Sequence, residues 1–338
     1  MTKAKRLLIA LAMVLALVLT GCGGQGAATT EATETTASSS ELSKEALEKA
    51  VVIVDQSYID NDTFVAYYKM QLKAYNQMYG EEIAEREING IKFSEILKKN
   101  MADDFANDLA IVNYIRSTGT IISKEEVEKE FQDFLKQSQS TGGFEKAKTE
   151  FGIDEDFVRK EIERSLYIAK FEEMLRQEVE ADQKALNDLY TNRIVQVKAR
   201  HILVKTEEEA KKIIEEIKEG KSFSDAATEY SQDPGSAQNG GDLGYFSRGV
   251  MVPTFEAMAF SLKIGDISDP VQSDFGFHII QVEDTRTVQQ MKDAGVAELE
   301  IEKQETSIKG ELVNSAYFKR VEEILNKSKV EIHTERAE

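Results

Sequence analysis

Val195-Gln196-Val197-Lys198-Ala199-Arg200-His201-Ile202-Leu203-Val204-Lys205 alternates with a period of two, the spacing of a strand whose side chains point to opposite faces. Val197, Ala199, His201 and Leu203 fall on one face. Lys198, Arg200, Ile202 and Val204 fall on the other. Residues 207–219 then change period and predict a helix with Ala210, Ile213, Ile214 and Ile217 inward and Gly220 at its end. A second short helix is expected at 222–230. The glycine-rich 233–244 reads as a loop, Pro253 opens a third helix in the favoured first position, and 277–282 reads as a closing strand. Strand, two helices, loop, strand, helix and closing strands within 194–285 predict a compact α+β unit.

Outward from this unit the chain is helical on both sides. Upstream, 51–54 (Val-Val-Ile-Val) is a short strand. Helical spacing follows in Phe64, Tyr67, Tyr68, Leu72 and Tyr75, then in Ile96, Leu97, Met101, Phe105, Leu109, Val112 and Ile115, with Gly119 as a stop. Ser123-Lys124-Glu125-Glu126 forms a capping box before a helix whose apolar face is Val127, Phe131, Phe134 and Leu135. Further helices are predicted over 154–174 and 182–193. Helical spacing returns after residue 285. Because the termini of compact domains often lie close together, the simplest architecture inserts the α+β unit into a helical domain built from both flanks. The expected organisation is 46–193 helical, 194–285 α+β, and 286–338 helical again.

The N-terminus carries targeting signals. Residues 7–19 are thirteen apolar residues behind Lys3, Lys5 and Arg6, the pattern of a secretory signal. A helix of that length spans roughly 20 Å, short of the ~30 Å of a bilayer core. Leu19-Thr20-Gly21-Cys22 follows, so 1–21 reads as a signal segment. Residues 23–40 hold small and polar residues without apolar period, so 22–45 reads as a flexible stalk. Cys22 is the sole cysteine, which rules out an intramolecular disulfide and a thiolate metal site. The chain of 338 residues has a formal charge of −19, and loss of the three basic residues in 1–21 takes it to −22. Such a surface repels nucleic acid.

Leu19–Cys22 resembles the bacterial lipobox, which implies acylation of Cys22. Residues 199–205, Ser231-Gln232-Asp233, Gly240-Gly241-Asp242-Leu243-Gly244, Phe246, Phe255, Gly265-Asp266-Ile267-Ser268 and Gly276-Phe277-His278-Ile279-Ile280 resemble, in order and spacing, the parvulin family of peptidyl-prolyl isomerases. Lipobox, stalk, helical flanks and a single inserted parvulin unit together resemble the PrsA-type foldases and, more distantly, SurA-like periplasmic chaperones. The resemblance implies a lipid-anchored protein on the extracytoplasmic face of the cell membrane. Its partners would be unfolded or newly translocated secreted polypeptides. No cofactor or metal is implied, and a homodimer is left open.

The same resemblance puts the proline ring among Leu243, Met251 and Phe255, with Phe246 alongside. His201 and His278 become a histidine pair beneath the substrate, and Asp233 stands where some relatives have cysteine, which argues against obligatory covalent catalysis. Each residue also has a plain structural reading. The apolar residues suit a core, the histidines suit hydrogen-bonded structural roles, and Asp233 before Pro234-Gly235 suits a turn cap. Rotation about an X–Pro bond faces a barrier of ~18–20 kcal/mol from amide resonance and needs no nucleophile. Lys205 is followed by Thr206-Glu207-Glu208-Glu209, where phospho-dependent parvulins carry basic residues, so an unphosphorylated polypeptide is the expected substrate. A holdase whose parvulin unit only binds is the alternative function. A solute-binding lipoprotein lacks support in the strand–helix pattern, and no G-x-S-x-G marks a serine hydrolase.

Overall fold

The computed structural model describes residues 44–139 and 142–337, so the expected signal segment, Cys22 and all but the end of the expected stalk lie outside the described residues. The chain forms two compact units: one combines the residues up to Gln177 with those from Val313 onward, and the other is Glu178–Leu312.

The first unit opens with helix α1 (Lys44–Lys49), which starts inside the expected stalk, and strands β1 (Ala50–Val54) and β2 (Ser57–Asp60). β1 is apolar throughout and buried on both faces. Asp60 caps α2 (Asn61–Tyr79), its carboxylate accepting from the Thr63 amide at 2.7 Å. A 3-10 turn and a small hairpin, β3 (Glu87–Ile88) and β4 (Ile91–Lys92), lead to α3 (Phe93–Ser117). Helices α4 (Lys124–Gln139), α5 (Gly143–Phe151) and α6 (Glu155–Ala181) follow. The capping box of α4 forms as expected: the Glu126 amide donates to Ser123 Oγ at 3.2 Å and the Ser123 amide to the Glu126 carboxylate at 3.0 Å. Phe131, Phe134, Phe144 and Phe151 pack with Val158 and Ile162 in one core, and Phe64, Leu97, Met101 and Phe105 pack with Val51, Val52 and Val54 in another. Each such fully buried side chain stabilises the fold by roughly 1.5–3 kcal/mol of transfer free energy.

The second unit begins with α7 (Gln183–Asn192) and the long strand β5 (Ile194–Val204). It continues through α8 (Glu207–Lys218), α9 (Phe223–Tyr230), β6 (Asp242–Ser247), α10 (Pro253–Ala259), β7 (Val271–Ser273) and β8 (Gly276–Thr287). The sheet order is β6-β5-β8-β7, and each neighbouring pair is antiparallel. Both faces are covered, as the alternation in β5 requires: Ile202, Val204 and Ile279 pack under α8 and α9, while Val197, Ala199, Ile280 and Val282 pack with Phe246 and Phe255. The loop expected over 233–244 is shorter than its glycines suggested, with a 3-10 turn at Ala237–Asn239 and β6 starting at Asp242.

Helices α11 (Val288–Asp293) and α12 (Glu298–Leu325) complete the sequence of helices. Val288, Met291, Ile301 and Ile308 pack on Val195 with Leu189 and Tyr190 of α7, so this compact unit is wider than 194–285. Beyond Leu312, Tyr317 and Val321 of α12 pack with Ile111, Phe171 and Leu175 in the first unit. Strand β9 (Val330–Ile332) then pairs antiparallel with β1, Val54 opposite Val330, giving the order β2-β1-β9. The flanks thus share a sheet and a core, and the α+β unit is an insertion between them. The helical unit contains strands that helical spacing alone could not announce, because β9 is three residues long and half exposed.

Candidate active site

The site lies where β5, β8, the 231–241 loop and α10 meet. β5 supplies His201 and β8 supplies His278, both buried. The rings stack with centroids 5.4 Å apart and face each other through Nδ1 atoms 3.2 Å apart. The 231–241 loop comes close because of Gly241: at φ +80° it donates no side chain, and a Cβ there would meet the His201 carbonyl at 2.3 Å. The His201 amide in turn donates to the Gly241 carbonyl at 2.9 Å.

Asp233 reaches back to His201, with its Oδ2 2.9 Å from Nε2. Its Oδ1 accepts from the Gly235 amide at 3.2 Å. The turn-cap reading and the histidine-facing reading of Asp233 therefore hold together, one per oxygen. Two partners escaped the sequence reading. Ser236, 2% exposed, donates to Asp233 and lies 3.0 Å from His201 Nε2. Ser273 Oγ lies 2.8 Å from His278 Nε2. Ser236 is three residues beyond Asp233, a spacing the turn could have disclosed. Ser273 meets His278 only through the β7–β8 hairpin register, which sequence does not show.

These contacts make a single chain, Ser273–His278–His201–Asp233/Ser236. With two uncharged rings, every atom is satisfied when Ser273 O–H donates to His278 Nε2, His278 Nδ1–H donates to His201 Nδ1, and His201 Nε2–H donates to Asp233. Burial pushes the Asp233 carboxyl up, but hydrogen bonds from Ser236, His201 and the Gly235 amide outweigh it and bring the pKa down to about 2. Burial, with the neighbouring His201, lowers His278 to about 4, so His278 is neutral near pH 7.

Phe255 of α10 presses edge-on against both imidazoles, at 5.6 Å from His201 and 5.3 Å from His278. Phe246 of β6 lies 6.1 Å from Phe255. Leu243 and Met251, half-buried, pack in the same cluster. All seven residues singled out from the sequence for this site are thus brought together, and an apolar wall meets a polar hydrogen-bonded floor. Glu207, Glu208 and Glu209 form the first turn of α8, where Thr206 and Glu209 complete a capping box. The acidic run complements the helix dipole there.

A small antiparallel sheet with helices on both faces and a buried histidine pair packed against a buried aromatic cluster is the architecture of a parvulin-type peptidyl-prolyl isomerase. Residues 174–286 match the family model of the PPIC-type PPIASE domain. The foldase protein PrsA of Oceanobacillus iheyensis is 35% identical over 252 residues, covering 73% of this chain and 81% of that protein. The PrsA of Geobacillus kaustophilus is 35% identical over 230 residues, covering 66% of this chain and 79% of that protein. Among solved structures, the crystal structure of the Bacillus cereus peptidylprolyl isomerase PrsA aligns over 73% of this chain and 92% of that one, at 25% identity and a TM-score of 0.44. The chain belongs to the PrsA foldase family. It is a peptidyl-prolyl cis-trans isomerase that acts on polypeptides.

Proposed function

We propose that the client's proline ring lies against Leu243, Phe246, Met251 and Phe255, with His201, His278 and Asp233 forming the polar floor under the rotating amide. The observation that carries this reading is the packing of Phe255 edge-on to both rings of a hydrogen-bonded histidine pair. In the twisted amide the prolyl nitrogen loses conjugation and the peptide dipole weakens, so a slot poor in water favours the twisted state over the planar one. A ~10⁴-fold acceleration needs only about 5–6 kcal/mol of such selective stabilisation. The chain of hydrogen bonds holds the rings still. Asp233, stabilised as the anion, fixes which nitrogen of His201 carries a proton. No covalent step is invoked.

The substrates are unphosphorylated segments of polypeptides newly delivered across the membrane. The acidic first turn of α8 supports this choice, because three carboxylates repel a phosphate. A thioether-linked lipid at Cys22, with an N-acyl chain, holds the protein at the outer face of the cell membrane, since stable attachment takes more than one acyl chain. The helical unit holds clients while the inserted unit turns their prolines. A peptide isomerisation assay tests the specificity: the chain should act on an Ala-Pro peptide at least as fast as on its phosphoserine-Pro counterpart. A clear preference for the phosphopeptide would contradict the reading.

A further inference from the structure

Next in sequence to the proposed proline slot, within the same compact unit, lies a cavity of about 400 Å³ between the start of β5, the end of β6 and the first half of α12. Its size falls in the range of ligand sites. Ile194, Val195, Ser247, Val250, Gln304 and Ser307 are among the residues that line it.

Three observations connect it to substrate. First, it begins one residue from the proline slot: Val250 lines the cavity, is 64% exposed, and precedes Met251. Arg248, also at its rim, stacks 4.0 Å over Phe260, which packs on Phe246, which packs on Phe255. Second, β6 pairs β5 only from Gln196 to Arg200, and among the described residues no strand occupies that edge alongside Ile194 and Val195. Extended chains are bound at such edges by main-chain hydrogen bonds. Third, four of the five charged residues in its walls pair with one another, the fifth being Arg248 at the rim, and neutral hydrogen-bonding groups lie among them. Arg193 pairs with Glu311 at 2.7 Å and Lys303 with Glu300 at 3.5 Å. Ser247 Oγ accepts from Gln304 at 3.0 Å, and Ser307 adds a further hydroxyl to the lining.

We infer that this cavity is a subsite for the client chain, taking an extended, uncharged stretch of residues next to the isomerised proline. The inference rests on the assignment of the proline slot above. It gives α12 a part in substrate recognition as well as in packing. A stretch of three residues spans about 10 Å, enough to run from the slot into the cavity.

The test compares a four-residue proline peptide with a ten-residue peptide that extends the same core by uncharged residues on both sides, using the full chain. The longer peptide should have a kcat/KM at least about five-fold higher. Ser307→Trp, at an exposed helical position facing the cavity, should bring that ratio close to one. Lys303→Trp, one turn earlier, should do the same and guards against an idiosyncrasy of one variant, with circular dichroism confirming the fold of each. A ten-residue peptide carrying a photoreactive benzoylphenylalanine three residues from proline should cross-link within 300–311. A length advantage that survives both tryptophans, or cross-links elsewhere, overturns the subsite. Failure of the wild-type chain to isomerise either peptide would instead overturn the assignment of the slot, and the subsite with it.

Discussion

At the residue scale the site is a hydrogen-bonded chain whose geometry depends on small side chains. Ser236 holds Asp233 and stands next to His201 Nε2. Its removal costs a hydrogen bond to a charged group, roughly 1.5–3 kcal/mol, and raises the Asp233 pKa from about 2. Ser236→Ala should therefore lower kcat/KM by roughly tenfold, and Ser236→Thr should restore most of it. A side-chain carbon titration of Asp233 should move upward in the alanine variant alone. An unmoved titration would make Ser236 mere packing. His278 offers a second handle, because the chain holds only three histidines and their ring signals are separable. Its folded pKa of about 4 lies below the ordinary 6.5, so the unfolded state binds the proton first as pH falls. The stability from keeping this ring neutral is fully present above about pH 6.5 and is lost progressively down to about pH 4. It amounts to at most about 3.5 kcal/mol, since one pKa unit is ~1.4 kcal/mol. Ring nitrogen NMR at pH 5 should show His278 uncharged with its proton on Nδ1. A charged His278 at that pH would contradict the assignment.

At the element scale, much was legible. The period-two run at 195–205, the capping box at Ser123, and Pro253 at a helix start are local signals, and local physics fixed those elements. The residues proposed for the site could be singled out only through motif resemblance, since Leu243, Met251 and Phe255 have the same chemistry as any core. What stayed hidden is set by pairing at a distance. Ser273 reaches His278 through a hairpin register, and β9 meets β1 across nearly the whole chain. The extent of the inserted unit was hidden for the same reason, since α7, α11 and the first half of α12 join it through contacts with Val195. Replacing 178–312 with a Gly/Ser linker should leave a folded helical unit, because β1, β9 and the cluster around Ile111, Phe171 and Tyr317 are untouched. Circular dichroism should show a cooperative helical unfolding transition. Its loss would mean the flanks depend on the insert for their fold.

At the scale of the whole molecule, an acidic chain combines a helical unit made from its two ends with an isomerase unit between them. Among the described residues no helix is long and apolar enough to cross a membrane. The attachment proposed at Cys22 rests on the Leu19–Cys22 motif. Mass spectrometry of the membrane fraction should find an N-terminal, acylated Cys22, and an unmodified cysteine within a chain cleaved elsewhere would refute the anchor. Prolyl bonds are proposed to turn against the apolar residues over the histidine pair. Isomerisation of an unphosphorylated X–Pro peptide is followed for the wild-type chain and for Met251→Ala, whose side chain is only half-buried and whose loss opens the slot. The wild type should show clear catalysis and the variant a loss of roughly tenfold or more, about 1.4 kcal/mol of transition-state stabilisation, with its melting temperature little changed. Equal rates for the two proteins would contradict the proposal.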